Sequence, residues 1–208
     1  MVSNYRSQGR VEGVKDPSNS TPAANSVQRP SNFNLPNVLT SLRIIFVPAF
    51  AWLVLTSQGQ NNGWQWAAFI MFAMLMFTDK LDGDIARKRG LITEFGKIAD
   101  PIADKALMIT SLVCLNLIDM LPWWVTIVIV ARELGITFWR MVQLRRGRVV
   151  PASKGGKLKT ALQTIAVGLY LLPLPGWMDI PSFVVMLAAV VVTVVTGVQY
   201  IIDGRKAN

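Results

Sequence analysis

Beyond residue 34 the chain alternates long apolar stretches with short polar breaks. The stretches run over 37–57, 64–86, 98–118, 122–143, 158–173 and 181–202. A helix rises about 1.5 Å per residue, so about 20 residues cross a hydrocarbon layer. Five stretches have that length and the fifth, 158–173, is shorter. Period-2 alternation is absent, and in lipid only helices or closed barrels satisfy every backbone group. The pattern therefore predicts an all-α integral membrane protein, a six-transmembrane-helix bundle over residues 35–208. Residues 1–34 are rich in Ser, Asn, Gln, Pro and Gly and hold no apolar run. They are expected to form a flexible cytosolic N-terminal tail, not a signal peptide, because no apolar segment follows the first basic residues.

Charge fixes an orientation. The breaks 58–63, 119–121 and 174–180 contain no Lys or Arg, whereas the tail, the breaks near 87–97 and 144–157, and the C-terminus hold nearly all of them. Positive residues mark the cytosolic side, so both termini are expected there. Trp64, Trp66, Trp123, Trp124 and Trp177 fall at the opposite ends, where an interfacial aromatic belt belongs. The composition agrees: 52% of residues are hydrophobic and 16% charged, against about 25% charged in a soluble domain. The formal charge of +9 then reflects topology and attraction to anionic lipid, and no nucleic-acid partner is expected. Cys114 is the only cysteine and there is no histidine. Intrachain disulfides, His catalysis and His metal ligation are thereby excluded.

The unusual segment is TDKLDGDIARKRGLITEFGKIADPIADK, residues 78–105. Asp79 and Asp82 stand at i, i+3 and Asp100 and Asp104 at i, i+4, so each pair shares a helix face. The two stretches are antiparallel neighbours, and all four carboxylates fall in the cytosolic half. Asp79 lies about 22 Å along the second stretch from Trp64. Four ionised carboxylates at that depth need neutralising. Oxygen donors without His or Cys suit hard divalent cations such as Mg²⁺, Mn²⁺ or Ca²⁺. Two such ions offset four charges and suit phosphoryl chemistry. Gly83, Ala86 and Gly96 are small residues beside the acids, permitting close approach of a helix or a flat ligand. Pro101 is expected in the first turns of the third helix, where a missing amide costs least. A transporter built on these acids would need polar residues across the outer halves, which read AAFIMFAMLMF and LMITSLVCLNL.

The run Asp79-x2-Asp82-Gly83-x2-Ala86-Arg87-x8-Gly96-x3-Asp100-x3-Asp104 resembles the signature of the CDP-alcohol phosphotransferases at every fixed position. That resemblance implies a six-helix membrane fold, a homodimer, and a cytosol-facing site with two divalent cations, Mg²⁺ or Mn²⁺. It implies transfer of a substituted phosphate from a CDP-linked donor to an alcohol, with release of CMP. Asp79, Asp82, Asp100 and Asp104 would hold the metals, with Asp104 also the general base. Asp82, Gly83, Ala86, Arg87 and Gly96 would contact the CDP donor.

Further segments resemble bacterial members of the family that join CDP-diacylglycerol to glycerol 3-phosphate. They are LPNVLTSLRIIFVP at 35–48, ADPIADKAL at 99–107, ARELGITFWR at 131–140 and PASKGGKLKTALQ at 151–163. A bacterial plasma membrane is the implied location, with membrane lipid as surroundings and donor. A dianionic acceptor needs fixed cations, for which Arg132, Arg140, Lys157 and Lys159 are the candidates. Arg43 would either bind acceptor or neutralise a carboxylate in the bundle. Glu133, next to Arg132, is expected to pair elsewhere. Inositol phosphate, serine and phosphatidylglycerol are the alternative acceptors, and a cation or proton transporter is the alternative outside enzymes. GGKLKT is no P-loop, since Leu158 follows Lys157 and no strand precedes it.

Overall fold

A computed structural model of the chain describes residues 35–89, 93–145 and 155–206. The expected tail, 1–34, lies outside the described residues, as do the side chains of Ala86 and Arg87. Six helices follow one another: α1 (Leu35–Ser57), α2 (Asn62–Arg89), α3 (Glu94–Leu117), α4 (Trp123–Arg145), α5 (Gly155–Leu171) and α6 (Asp179–Lys206). A 3-10 turn, Gly176–Met178, leads into α6. Each apolar stretch has its helix, and no strand occurs among the described residues.

Local chemistry sets the helix ends. α1 stops where Gln58 and Gly59 take positive φ, 50° and 67°, a left-handed exit that closes helices. Three residues on, the Asn61 side chain accepts from the amides of Gly63 and Trp64 at 3.1 and 3.3 Å, which caps α2. Thr93 caps α3 by accepting from the Gly96 amide at 3.0 Å. That cap starts α3 four residues before the apolar stretch begins. Pro101 consequently stands inside the helix and not in its first turn, and α3 forgoes an interior hydrogen bond there.

The helices form two groups of three. α1 packs extensively on α2 and α3, and α6 on α5 and α4. The groups meet more lightly, through α2 with α5 and α3 with α4 and α5. At one end this seam is filled by a shared apolar core that includes Phe50, Phe72, Leu115, Val125, Val167 and Met186. Small buried residues, Ala68, Ala166 and Ala189, let backbones approach. Toward the other end the filling becomes polar and the seam opens.

Large apolar side chains also cover the outside, among them Ile45, Trp52, Phe77, Ile127, Phe138 and Ile180. By length and composition α1 and the segment Gly176–Asp203 can each cross a membrane, with mean hydropathy 2.1 and 2.3. The other helices carry the charged groups of the open seam or, in α5, stop at 17 residues.

Candidate active site

The open part of the seam is built from α1 outward. Asn37, Thr40 and Arg43 recur every three residues and are all buried, so one polar stripe of an otherwise apolar helix faces α2 and α3. Asn37 exchanges hydrogen bonds with Thr93 at 2.8 and 3.0 Å. This contact ties α1 to the residue that caps α3. The Thr40 hydroxyl donates to Asp100 Oδ1. Arg43 then reaches across to both acidic pairs. Its Nη1 donates to Asp79 Oδ1 at 2.6 Å and to Asp104 Oδ1 at 3.0 Å, and its Nη2 to Asp82 Oδ2 at 2.7 Å. The guanidinium is 1% exposed, and its planar fork suits several carboxylates at once.

Sequence reading left Arg43 between acceptor and carboxylates; its partners here are three of the carboxylates. One positive charge meets four negative ones, which leaves the cluster short of positive charge. Among the described residues no three acidic side chains form a ready ligand cage. The physical reason is visible: oxygens of Asp79, Asp82 and Asp104 turn to Arg43, and one of Asp100 turns to Thr40.

Two cavities open beside this cluster. The larger, about 890 Å³, is lined by Asp79, Asp82, Gly83, Asp100 and Asp104, with Lys157 from α5. The smaller, about 310 Å³, reaches toward α4, where Glu133 lines it beside Lys159 and Gln163 of α5. Asp79, Asp100 and Asp104 line both, so three carboxylates stand on the boundary. The three carboxylates paired with Arg43 differ in access. The Asp104 side chain is 50% exposed, Asp79 29% and Asp82 3%.

The basic residues separate. Lys159 is buried and donates to Glu133 Oε1. Arg132 turns to α6, with Nε on the Thr193 carbonyl at 3.1 Å, Nη2 on Thr196 at 3.3 Å and Nη1 on Glu133 at 3.3 Å. Gly197 makes room for it, since a Cβ there would stand 3.1 Å from Arg132 Cγ and Nε. Arg132 lines neither cavity, and Arg140 is exposed on α4 and lines neither. Gly96, expected beside the CDP donor, has a packing role. A Cβ there would stand 2.8 Å from Asn37 Oδ1.

The family profile described as CDP-alcohol phosphatidyltransferase matches residues 33–195. The chain belongs to this family. The family is one of transferases. A relative named probable phosphatidylglycerophosphate synthase, from Mycobacterium tuberculosis, is 47% identical over 168 residues, covering 81% of this chain and 80% of its own length. The CDP-diacylglycerol--glycerol-3-phosphate 3-phosphatidyltransferase of Bacillus subtilis is 38% identical over 188 residues, covering 81% of this chain and 93% of its own. A cardiolipin synthase (CMP-forming) of Streptomyces coelicolor is 36% identical over 110 residues, which is 51% of this chain and 50% of its own.

The sequence alone assigns Glu133 to a partner and singles out neither Thr160 nor Gln163; all three line the smaller cavity. For Glu133 and Gln163 the signal was present: polar residues inside apolar stretches face the bundle interior; Thr160 is exposed and gave none. Lys105 also lines that cavity.

Proposed function

We propose that this protein transfers the phosphatidyl group of CDP-diacylglycerol to glycerol 3-phosphate, giving phosphatidylglycerol phosphate and CMP. The observation that carries this reading is the pair of cavities meeting at Asp79, Asp100 and Asp104. A two-substrate transfer needs donor and acceptor on opposite sides of the reacting groups.

The larger cavity suits the donor. Gly83 leaves room beside Asp82 for cytidine diphosphate, and Lys157 offers charge to its phosphates. Phe77 and Ile165 also line it, and both are exposed on the outside of the bundle. The mouth between α2 and α5 therefore opens sideways onto apolar surroundings, where acyl chains would lie. The smaller cavity, at about 310 Å³, suits a small acceptor. Phosphatidylglycerol, the acceptor of the cardiolipin reading, brings two acyl chains of its own.

Asp104 is the general base of this mechanism. It is the most accessible of the three carboxylates paired with Arg43 and borders both cavities. It takes the proton of the acceptor hydroxyl as that oxygen bonds to the phosphatidyl phosphorus. The bond from phosphorus to the CMP oxygen breaks, and CMP leaves as a phosphate monoester. Arg43 holds Asp79, Asp82 and Asp104 in register, and Thr40 holds Asp100.

The family is associated with divalent cations, and these residues fit them. All the donors are carboxylate oxygens, the choice of Mg²⁺ and Mn²⁺, and their charge exceeds that of Arg43. Asp79, Asp82, Asp100 and Asp104 would hold two such ions, which supply positive charge for the phosphate oxygens of the donor. The apolar exterior and the tryptophans at one end support a multi-pass protein of the bacterial plasma membrane, with the site and both termini toward the cytosol. A homodimer accompanies this reading.

The test is CMP release from protein purified in detergent, given CDP-diacylglycerol and Mg²⁺. Glycerol 3-phosphate, inositol phosphate, serine and phosphatidylglycerol are offered separately. Phosphatidylglycerol phosphate should form with glycerol 3-phosphate and vanish in Asp104→Asn. Product with a different acceptor alone would overturn the acceptor; no CMP with any acceptor, from folded protein, would overturn the reaction.

A further inference from the structure

The contact between Glu133 and Lys159 does more than neutralise a buried lysine. Both side chains are largely buried, 15% and 9% exposed, and both border the smaller cavity. The ammonium has three donors and, among the described residues, one partner, Glu133 Oε1. That same oxygen accepts from Arg132. Among the described residues the other oxygen, Oε2, accepts from no donor. The pair thus presents open N–H donors and an open acceptor oxygen side by side. Donors suit an anion, and a carboxylate oxygen suits a hydroxyl. The complementary ligand carries a phosphate and a free hydroxyl on adjacent carbons.

We propose that Glu133 is a specificity-determining residue, accepting a hydrogen bond from the non-reacting hydroxyl of a phosphorylated polyol whose phosphate is taken by Lys159. This rests on the smaller cavity being the acceptor site. Glu133 has two tasks in it: Oε1 fixes the lysine, and Oε2 reads the hydroxyl. Arg132, held on Thr193 and Thr196, braces Oε1 from the α6 side. The reacting hydroxyl, at the far end of such an acceptor, is left toward Asp104.

The test compares glycerol 3-phosphate with propane-1,3-diol monophosphate, which keeps the phosphate and the primary hydroxyl and lacks the middle one. Wild-type protein should favour glycerol 3-phosphate by roughly 10- to 100-fold in kcat/KM, the range for a hydrogen bond to a charged group. In Glu133→Gln, whose neutral oxygen accepts more weakly, the preference should fall about tenfold, mainly through KM for glycerol 3-phosphate. In Glu133→Asp, which keeps the charge at shorter reach, an intermediate preference should survive. If Glu133 serves only to neutralise Lys159, both acceptors slow equally in the variants and the preference stays, which overturns the proposal. Should the variants not fold, wild-type protein that uses both acceptors equally overturns it without them. Failure of the functional reading looks different: wild-type protein then makes no product from either phosphate yet releases CMP with another acceptor, and both claims fall.

Discussion

Arg43 has the most demanding position in the molecule. Its guanidinium is buried against Asp79, Asp82 and Asp104 at 2.6–3.0 Å. Removing one partner of a buried ion pair typically costs about 3–5 kcal/mol, because the other charge stays behind. Arg43→Met should therefore unfold at clearly lower temperature than wild type in EDTA. Millimolar Mg²⁺ should recover part of the loss, since a cation binding only the folded form stabilises it. Thermal melts in detergent, with and without Mg²⁺, check this; a variant whose melting temperature Mg²⁺ leaves unchanged would mean that its carboxylates bind no cation. Gly96 and Gly135 make a second, paired case. A Cβ at Gly96 would press on Asn37 Oδ1 at 2.8 Å, whereas one at Gly135 meets nothing within 4 Å. Gly96→Ala should cost about 1–3 kcal/mol through overpacking, and Gly135→Ala should gain up to about 1 kcal/mol of helix propensity. Opposite shifts in melting temperature are expected. The four aspartates were legible as a cluster because their spacing alone puts them on facing sides of two antiparallel helices. The role of Gly96 in making room for Asn37 was not, because the partner is 59 positions away in the chain and only the fold brings it there.

At the scale of elements, the alternation of apolar stretches and polar breaks revealed six helices, and capping chemistry moved their ends. α3 shows why. The apolar stretch begins at 98, yet Thr93 caps the helix and Asn37 holds Thr93. A short polar turn hides that start from any reading based on hydropathy. The arrangement makes α1 the element that sets the height of Asp100: Asn37 fixes the N-terminus of α3 and Thr40 fixes the carboxylate itself. Thr93→Ala removes the cap, which is worth about 1 kcal/mol, and takes away the two hydrogen bonds between Thr93 and the Asn37 carboxamide. The expected result is a modest loss of stability with a larger loss of kcat, since the reacting geometry shifts with α3. Unchanged kcat in a destabilised variant would show that Asp100 keeps its position without the cap. Element order also hid the orientation of Arg132. The sequence groups it with Arg140 as a candidate acceptor cation, but Gly197 leaves a notch on α6 that accepts its side chain. A notch between helices far apart in sequence leaves no local trace.

At the scale of the molecule, the two helix groups explain why the chemistry sits where it does. Their seam is packed by apolar side chains at one end and opened by charged ones at the other, so the site faces a single side. A cytosolic site, expected from that asymmetry together with the Lys and Arg distribution, is testable with one reporter. Cys114 is the sole cysteine and is buried, so a thiol added at the surface reports on its own position. Gln60 lies between α1 and α2, and Arg145 ends α4 at the opposite end of the bundle; both are exposed. A membrane-impermeant maleimide applied to spheroplasts should label Gln60→Cys and leave Arg145→Cys untouched until the membrane is broken. The reverse pattern would turn the site outward, away from a nucleotide-linked donor made in the cytosol. Labelling of both in sealed cells would mean that the chain does not cross the membrane between them. The positive-inside asymmetry would then mark surface attraction to anionic lipid and nothing about topology.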